Sequence, residues 1–393
     1  MLALLAALAV IGLRWGANHA LTDSADLMLR QKEVARFIRG LDPYTLPDMT
    51  YPPTAPPIFA LLVAPFETAA LKPAWLGLNL IALAATCATI VAVWGRQWPS
   101  WLKVAFCLAV AASKPVRGGM GLGQFHLLPT ALVLLSIAFG ERRREIAAGI
   151  LLGLALTKPT MALPFLGLLL ARGRWRALGI ALGFQALLMI GVSAWLRVGP
   201  FALLREWFAL ARLQLGSGMI DAPTLAHHVW PGAPWAGPLL SLLILTLALA
   251  ATIAWRRKAV LGLVSLCASA AATFTYHRPY DLVLLIPVLA FLIEVARTAE
   301  ARWAATHVAV AVGFGGLLIV PNSPAVLGAM VHAYDGPFVV MALGFLLVGV
   351  IDMAVAGEVA GEVEVEEVSP RTPSLASESG RAGRGPDGRN RDD

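Results

Sequence analysis

The sequence predicts an all-α fold: a polytopic bundle of about 10 to 13 transmembrane helices, some of them short or broken. Apolar residues make up 58% of the chain, charged residues only 14%, and the mean hydropathy is +0.72. Ordinary soluble domains contain about a quarter charged residues. In addition, long apolar runs alternate with short polar intervals along the chain. Lipid is therefore the expected solvent of most of this protein.

Apolar runs that predict complete or partial membrane helices recur up to residue 356, and we assign 1–356 to one transmembrane domain. The runs lie at 2–15, 56–71, 74–94, 101–113, 125–140, 146–157, 159–171, 177–196, 236–254, 259–274, 281–296, 303–320 and 337–356. A complete crossing takes about 20 helical residues, with about 17 as the usual minimum. Several runs are shorter, so we expect half-helices or re-entrant pieces among them. The first run has no basic segment before it and no clear cleavage site, which indicates a retained helix.

Short basic clusters between the runs predict the orientation of the chain. These clusters lie at 141–145, 172–176, 255–258 and 297–302. The positive-inside rule places them in the cytoplasm, and it explains the net charge of +7 without a nucleic-acid partner. The loops 197–235, 275–280 and 321–336 then face outward. For the first polar loop, 16–55, to face outward as well, one segment must not cross, and 101–113 is the one we expect.

Two interruptions of the apolar pattern predict irregular backbone at membrane depth. The Thr-Lys-Pro sequence at 157–159 separates two short runs that are flanked by arginine clusters, which indicates a broken hairpin. A Ser-Lys-Pro sequence at 113–115 is followed by Gly-Gln-Phe-His at 123–126. Lipid cannot satisfy free backbone amides, so such breaks must be buried in protein or line a cavity. The Ser-, Arg- and Gly-rich end, 357–393, is expected to be disordered.

Several classes of chemistry lack support in the sequence. The cysteines Cys87, Cys107 and Cys267 lie in apolar runs without CxxC spacing, so neither a disulfide framework nor a metal site is expected. His227 and His228 have no well-spaced third ligand. No P-loop, HExxH or GxSxG motif is present, which argues against ATP-driven pumping, zinc proteolysis and hydrolase chemistry. We expect no metal and no cofactor.

The first polar loop is where chemistry is expected. It contains the acids Asp23, Asp26, Glu33, Asp42 and Asp48. An amphipathic, helical-looking stretch follows at 27–39, then Gly-Leu-Asp-Pro-Tyr at 40–44, and then Tyr-Pro-Pro at 51–53, where the next apolar run begins. This combination resembles the first external loop of glycosyltransferase family 87, over a span that reaches from the first helix to about residue 300. The members of this family are C-type membrane glycosyltransferases that use polyprenyl-phosphate sugars, chiefly mannose.

The resemblance implies a catalytic aspartate at the beginning of this loop. Asp26 fits that place best, because it lies closest to the amphipathic stretch, and Asp23 is the alternative. The family often has aromatic residues directly after the acid, whereas this chain has Leu-Met-Leu-Arg at 27–30, which leaves the choice of acid open. One carboxylate is enough for an inverting transfer, because it takes the proton of the acceptor hydroxyl and the phosphate leaving group needs no general acid.

Basic and amide side chains at the two breaks are candidates for the donor phosphate. A Lys-Pro break and a Gly-Gln pair before a helix recur in the family, so Lys158, Gln124 and Arg117 are carried over as donor-site residues. Lys114, at the other break, is a further candidate, since an amine there would stabilise the charge on the departing phosphate. The alternative is that both lysines merely extend to the lipid head groups.

A second polar cluster, 276–281, adds two phosphate candidates and one aromatic residue. Arg278 offers a bidentate fork and is the first choice for a phosphate contact, with His277 beside it. An interfacial loop with aromatic residues would have a similar sequence. We expect Tyr44, Tyr51 and Tyr276 to line the substrate site, although a structural role in a proline-rich turn is the alternative for the residues around Tyr51.

The predicted function is the transfer of a hexose, with mannose as the first choice, from a polyprenyl-phosphate donor to a lipid-linked or glycan acceptor. The predicted location is the plasma membrane, with the active site on the external side and the loop 197–235 as a lid over the acceptor. The partners are then the sugar donor, the acceptor and the surrounding lipid. The rival function is a transporter or flippase of lipid-linked sugars, because transporters also contain broken helices and basic residues at membrane depth. Apolar runs nearly free of acids favour the enzyme over the transporter, and a scaffold without catalytic activity is a third alternative.

Overall fold

The computed structural model describes residues 1–46, 49–213, 221–275 and 277–299, and five isolated positions at 307, 308, 311, 312 and 318. The side chains of residues 225 and 228 are outside this description. Nearly all of the predicted run 303–320, the whole run 337–356 and the tail 357–393 also lie outside the described residues.

Within the described ranges the regular structure is helical and contains no strand, so the predicted all-α fold is confirmed. The α-helices are α1 (Leu2–Thr22), α2 (Ala25–Ile38), α3 (Ala55–Val63), α4 (Thr68–Thr89), α5 (Ser100–Ala112), α6 (Lys114–Leu122), α7 (Leu127–Glu141), α8 (Glu145–Ala155), α9 (Pro159–Ala171), α10 (Trp175–Leu196), α11 (Pro200–Leu213), α12 (Ala222–Val229), α13 (Ala236–Ala254), α14 (Val260–Thr273) and α15 (Ile286–Thr298). Two 3₁₀ segments, Pro43–Thr45 and Pro279–Leu285, and a π segment, Ile90–Trp94, complete this part of the chain.

Length and composition identify the helices that suit a bilayer. Five described segments are long and apolar enough to cross a membrane: Leu2–Thr22, Thr68–Trp94, Trp175–Leu196, Ala236–Ala254 and Pro279–Thr298. The helices α5, α7, α8, α9 and α14 are also apolar but shorter. The protein is therefore a multi-pass membrane protein in which complete and partial crossings are combined.

Helices α5 and α6 together form one broken helix that runs beside α1 in the same direction. A Cβ atom on Gly16 would lie only 2.9 Å from the carbonyl oxygen of Arg117, and one on Gly121 would lie 2.8 Å from Cδ2 of His19. Contacts that advance together along both chains indicate parallel helices. The two glycines let the backbones approach closely, as small residues do in membrane bundles.

The structure differs from the sequence expectation about which segment fails to cross. Helix α3 has nine residues and is about 14 Å long, whereas a bilayer core is about 30 Å thick. Pro65 follows its end and interrupts the predicted run 56–71. The run 101–113 instead continues through a break into α6 and accompanies α1. The segment that does not cross is therefore 56–71 and not 101–113.

Three of the basic clusters meet at one end of the bundle, as expected for loops on the same side of a membrane. Arg172 forms an ion pair with Glu141 at 2.6 Å and donates to the carbonyl oxygen of Arg256 at 2.5 Å. The fourth cluster begins at Arg297, which pairs with Glu294, and Glu294 also accepts from the indole of Trp98 at 2.7 Å.

The helix directions place a second end opposite these basic loops. Helices α9 and α15 both end at a basic cluster, so their N-termini lie at the far end. The broken helix α5–α6 begins beside Trp98 and ends at the far end. The α8–α9 pair is therefore a broken hairpin with both outer ends at the basic side, as the sequence predicts, and with Lys158 at its tip.

The α1–α6 contact is tested with Gly16→Ala. The added methyl group would meet backbone atoms that cannot move independently, so we expect a loss of about 1 to 3 kcal/mol in the free energy of unfolding. The control is Gly77→Ala in α4, where a Cβ atom would meet nothing within 4 Å. This control should be neutral or stabilising, because alanine is the better helix former.

Unfolding of both purified variants in detergent measures the difference. If Gly16→Ala proved as stable as Gly77→Ala, helices α1 and α6 would not pack as closely as described.

Candidate active site

A sharp turn between α1 and α2 determines where Asp26 lies. Ser24 adopts a left-handed backbone conformation with φ of 52°, and its hydroxyl donates to the carbonyl oxygen of Ala20. Helix α2 begins one residue later, so Asp26 lies in its first turn and is half-buried. Free amides at a helix N-terminus favour a negative charge. The turn therefore holds a carboxylate at the far end of the bundle.

Gln124 fixes this carboxylate from the α6 side. Its side-chain Nε2 donates to Oδ2 of Asp26. Gly123 ends α6 with φ of 71°, and a Cβ atom there would lie 2.7 Å from Cβ of Leu27. Only glycine suits both the left-handed conformation and the close approach. The predicted Gly-Gln pair thus has a physical role: the glycine brings the glutamine to Asp26.

Asp23, the alternative base in the sequence analysis, lies in a different environment. Its side chain is 54% exposed and contacts Nε2 of His19 at 3.4 Å on α1. The two aspartates are only three residues apart, but the turn at Ser24 separates them. Asp26 contacts Gln124, whereas Asp23 lies at the exposed end of α1.

A buried ion pair forms the second half of the site. Lys158, at the tip of the α8–α9 hairpin, contacts Oδ1 of Asp281 at 2.5 Å, and both side chains are at most 11% exposed. Oδ2 of Asp281 lies 3.4 Å from Nδ1 of His277 and accepts from the backbone N–H of Arg278 at 3.3 Å. The other ring nitrogen of His277 lies 2.5 Å from the carbonyl oxygen of Ala271. Asp281 is thus contacted by three groups.

Tyr280 connects the two halves. The centroid of its ring lies 5.5 Å from Nζ of Lys158 and 6.0 Å from the ring centroid of His126. Its hydroxyl is within electrostatic range of Asp281, Asp26 and Arg278. Groups that are more than a hundred residues apart in sequence therefore surround one phenol.

Tyr51 lies in the same cluster, with Tyr44 behind it. The guanidinium of Arg30 lies 4.7 Å from the Tyr51 ring centroid, and Arg30 pairs with Glu33 at 2.5 Å. Burial raises the pKa of Tyr51, and the positive charges of Lys158 and Arg30 partly oppose that effect. The hydroxyl of Tyr44 donates to the backbone carbonyl of Tyr51 at 2.8 Å, and burial raises the pKa of Tyr44 as well. Both phenols therefore remain protonated.

The structure does not bring every predicted residue to this cluster. Arg117 packs along α1, with its Cδ 3.7 Å from where a Cβ of Gly12 would lie. The backbone of Arg117 lies about 10 Å from that of Gln124 along the direction of α6, and the backbone of Lys114 lies about 5 Å farther away. Arg278, in contrast, does lie at the cluster, where it is half-buried beside Asp281 and Tyr280. Tyr276 lies outside the described residues.

Sequence reasoning missed four participants: Arg30, His126, Tyr280 and Asp281. Asp281 and Tyr280 belong to the predicted polar cluster 276–281, but no pattern in the sequence pairs that aspartate with Lys158. Arg30 follows Asp26 by one helical turn, and that spacing was the available signal for it. Among the described residues, no three His, Cys, Asp or Glu side chains come together as a possible metal site.

The apolar helices define an integral membrane protein. Its charged and aromatic cluster lies at the end of the bundle opposite the basic loops. The family model of glycosyltransferase family 87 matches residues 50–277, which is more than half of the chain. The chain belongs to that family and is a membrane glycosyltransferase, so its substrates are a sugar donor and an acceptor. No curated protein and no solved structure matches it.

The matched region includes several residues of the cluster: Tyr51, Gln124, Lys158 and His277. It begins after Asp26 and ends before Arg278. The resemblance at those two positions therefore rests on the motifs of the first loop and of the second polar cluster.

The ion pair of Lys158 and Asp281 predicts a stability effect. Asp281→Asn leaves the lysine charged and buried without a carboxylate, so we expect the free energy of unfolding to fall by about 3 to 5 kcal/mol. The control, Glu145→Gln, removes a more exposed carboxylate that lies 3.9 Å from Arg174, and we expect a loss of about 1 kcal/mol or less.

Unfolding of both variants in detergent by titration with a denaturing surfactant provides the comparison. Equal losses would mean that the buried pair contributes no more than a contact near the surface.

Proposed function

We propose that this enzyme transfers a hexose, with mannose as the first choice, from a polyprenyl-phosphate donor to a lipid-linked or glycan acceptor, with Asp26 as the general base. The observation that carries the proposal is the environment of Asp26. Its carboxylate is half-buried at a helix N-terminus, held by Gln124, and within electrostatic range of the phenol that contacts Lys158. A base and a cationic group on one cluster are what the transfer requires.

The proposed reaction is a single displacement at the anomeric carbon of the sugar. As the acceptor oxygen attacks the anomeric carbon, Asp26 takes the hydroxyl proton and the bond between that carbon and the phosphate oxygen breaks. The polyprenyl phosphate leaves with the bonding electrons, and the configuration at the anomeric carbon inverts. Gln124 orients Asp26 throughout, because its amide donates to one carboxylate oxygen and leaves the other for the proton.

Asp281 is a poor base despite its position in the same cluster. Its two oxygens already contact Lys158, His277 and the backbone amide of Arg278. A carboxylate whose two oxygens are both engaged by such partners is less available to take a proton from a substrate hydroxyl. The division of roles between the two aspartates supports Asp26 as the base and Asp281 as part of the framework.

Arg278 is the proposed main contact of the donor phosphate. The Lys158 ammonium is already engaged by Asp281, whereas the planar guanidinium of Arg278 offers paired N–H donors that match two phosphate oxygens. The phosphate gains negative charge as the bond to the sugar breaks, and a nearby cation stabilises that charge. Lys158 and His277 would supply further polar contacts. The sugar arrives already activated as a phosphodiester, so the proposal assigns no cofactor.

The direction of the helices supports an external site at the plasma membrane. The basic loops lie at one end of the bundle, where the positive-inside rule assigns the cytoplasm. The cluster around Asp26 lies at the opposite end. Both the lipid donor and a lipid-linked acceptor would then reach it from the outer leaflet.

The base is tested with Asp26→Asn. This change keeps the shape but removes the proton acceptor, so we expect the transfer rate to fall by about 10² to 10⁴ fold. The matched control is Asp23→Asn, the same change three residues earlier on an exposed side chain, for which we expect a change of less than about three-fold. The measurement is transfer of radiolabelled mannose from polyprenyl-phosphate-mannose to a membrane lipid extract by purified protein.

A larger loss of transfer rate in the Asp23 variant than in the Asp26 variant would make Asp23 the base instead of Asp26. A wild-type protein that transfers no sugar from any polyprenyl-phosphate donor, but moves such lipids between the leaflets of vesicles, would replace the proposed enzyme by the transporter.

The orienting role of Gln124 gives a further prediction. Gln124→Ala should lower kcat by about 10 to 100 fold, because a mispositioned base reacts poorly even when the substrates still bind. The donor KM should stay within about three-fold of the wild-type value. The control is Gln31→Ala. Gln31 lies on α2, as Asp26 does, and its side-chain amide donates to the hydroxyl of Thr68 at the start of α4. An increase in donor KM at constant kcat would assign Gln124 to donor binding instead.

A further inference from the structure

Helix α11 presents an exposed face that alternates aromatic and basic side chains. Phe201, Arg205, Phe208 and Arg212 follow one another at spacings of four, three and four residues, which places them on one side of the helix. The two phenylalanines are 84% and 55% exposed, and both arginines are exposed. No acid lies on this face.

The opposite face of α11 is fixed to the first polar loop. Leu203 is fully buried, and the indole N–H of Trp207 donates to the carbonyl oxygen of Thr50 at 2.9 Å. Glu206, the acid of this helix, points toward Asp42, and partial burial together with that neighbour raises its pKa. The helix therefore cannot turn its aromatic residues inward without losing these contacts.

The chain geometry places the start of α11 at membrane-surface level. The membrane helix α10 ends at Leu196, and α11 begins at Pro200. Four residues span at most about 14 Å, so the first turn of α11 stays close to the end of the crossing helix. Trp195, which is 55% exposed and donates to the carbonyl oxygen of Phe37 at 2.7 Å, lies at that end. Tryptophan is typical of the boundary between lipid and water.

We propose that the outer face of α11, formed by Phe201, Arg205, Phe208 and Arg212, docks on anionic phospholipid head groups at the membrane surface. The phenyl rings enter the boundary between head groups and acyl chains, and the guanidiniums pair with lipid phosphates. Charge complementarity selects this occupant, since a face with two arginines and no acid favours an anionic surface over a neutral one. Because the inner face of α11 contacts the first loop, docking holds that loop at the surface.

The test uses the full-length protein in vesicles and does not depend on the proposed reaction. Ala209→Cys places an environment-sensitive label on the exposed side of α11, and labelling of the unsubstituted protein corrects for its native cysteines. Vesicles of phosphatidylcholine are compared with vesicles in which about a third of the lipid is phosphatidylglycerol. Quenching by a nitroxide on the lipid head group reports how close the label lies to the membrane surface.

We expect quenching to be at least about two-fold stronger in the anionic vesicles and to weaken at high salt, because exposed charges are screened. The double change Arg205→Gln with Arg212→Gln in the labelled protein should abolish the difference. The matched control is Arg256→Gln with Arg257→Gln, two exposed arginines at the opposite end of the bundle, which should retain it. Equal quenching in both vesicle types, or a difference that survives the Arg205 and Arg212 changes, would overturn the proposal.

Discussion

The buried pair of Lys158 and Asp281 is the interaction on which the site depends. An unpaired charge in an apolar interior is costly, so each of these side chains is tolerated because the other lies 2.5 Å away. The pair ties the tip of the α8–α9 hairpin to the 3₁₀ segment that begins the last described membrane helix. His277 and Tyr280 are positioned by the same segment. Packing alone would hold these breaks less specifically, because a hydrophobic contact has no preferred direction.

The half of the site that contains Asp26 and Gln124 depends on close backbone packing rather than on an ion pair. Helix α6 can approach α2 only because Gly123 has no side chain, and the approach brings Gln124 to Asp26. Irregular backbone at membrane depth survives where protein surrounds it, and here the hairpin tip at Lys158 and the turn at 123–126 face each other across Tyr280. The chain thus places its polar groups at the interruptions of its helices, where free backbone and side chains can be satisfied together. This combination supports the proposed reaction, in which a base lies near the cations that bind the leaving group.

Much of the fold could be predicted from the sequence because it depends on local properties. Hydropathy and helix length identify most of the helices. The contact between Arg172 and Glu141 brings two of the predicted basic clusters together at one end of the bundle. The expectation that 101–113 is the segment that does not cross was wrong, because hydropathy counts apolar residues and does not register that α3 ends at Val63, just before Pro65. The direction of the broken α5–α6 helix also escaped prediction, since it follows from close packing against Gly16 on α1.

The sequence by itself determined that most of the protein lies in lipid and that its fold is helical. It also determined the position of the two helix breaks and of the acidic first loop, because composition and short motifs encode each of these features. Only the tertiary structure decided which groups meet. It separated Asp26 from Asp23 through a left-handed residue at Ser24, gave Lys158 a carboxylate partner 123 positions away, and laid Arg117 along α1. These outcomes depend on the packing of helices that are distant in sequence. No local pattern specifies that packing, since apolar residues occur on both the exposed and the buried sides of these helices.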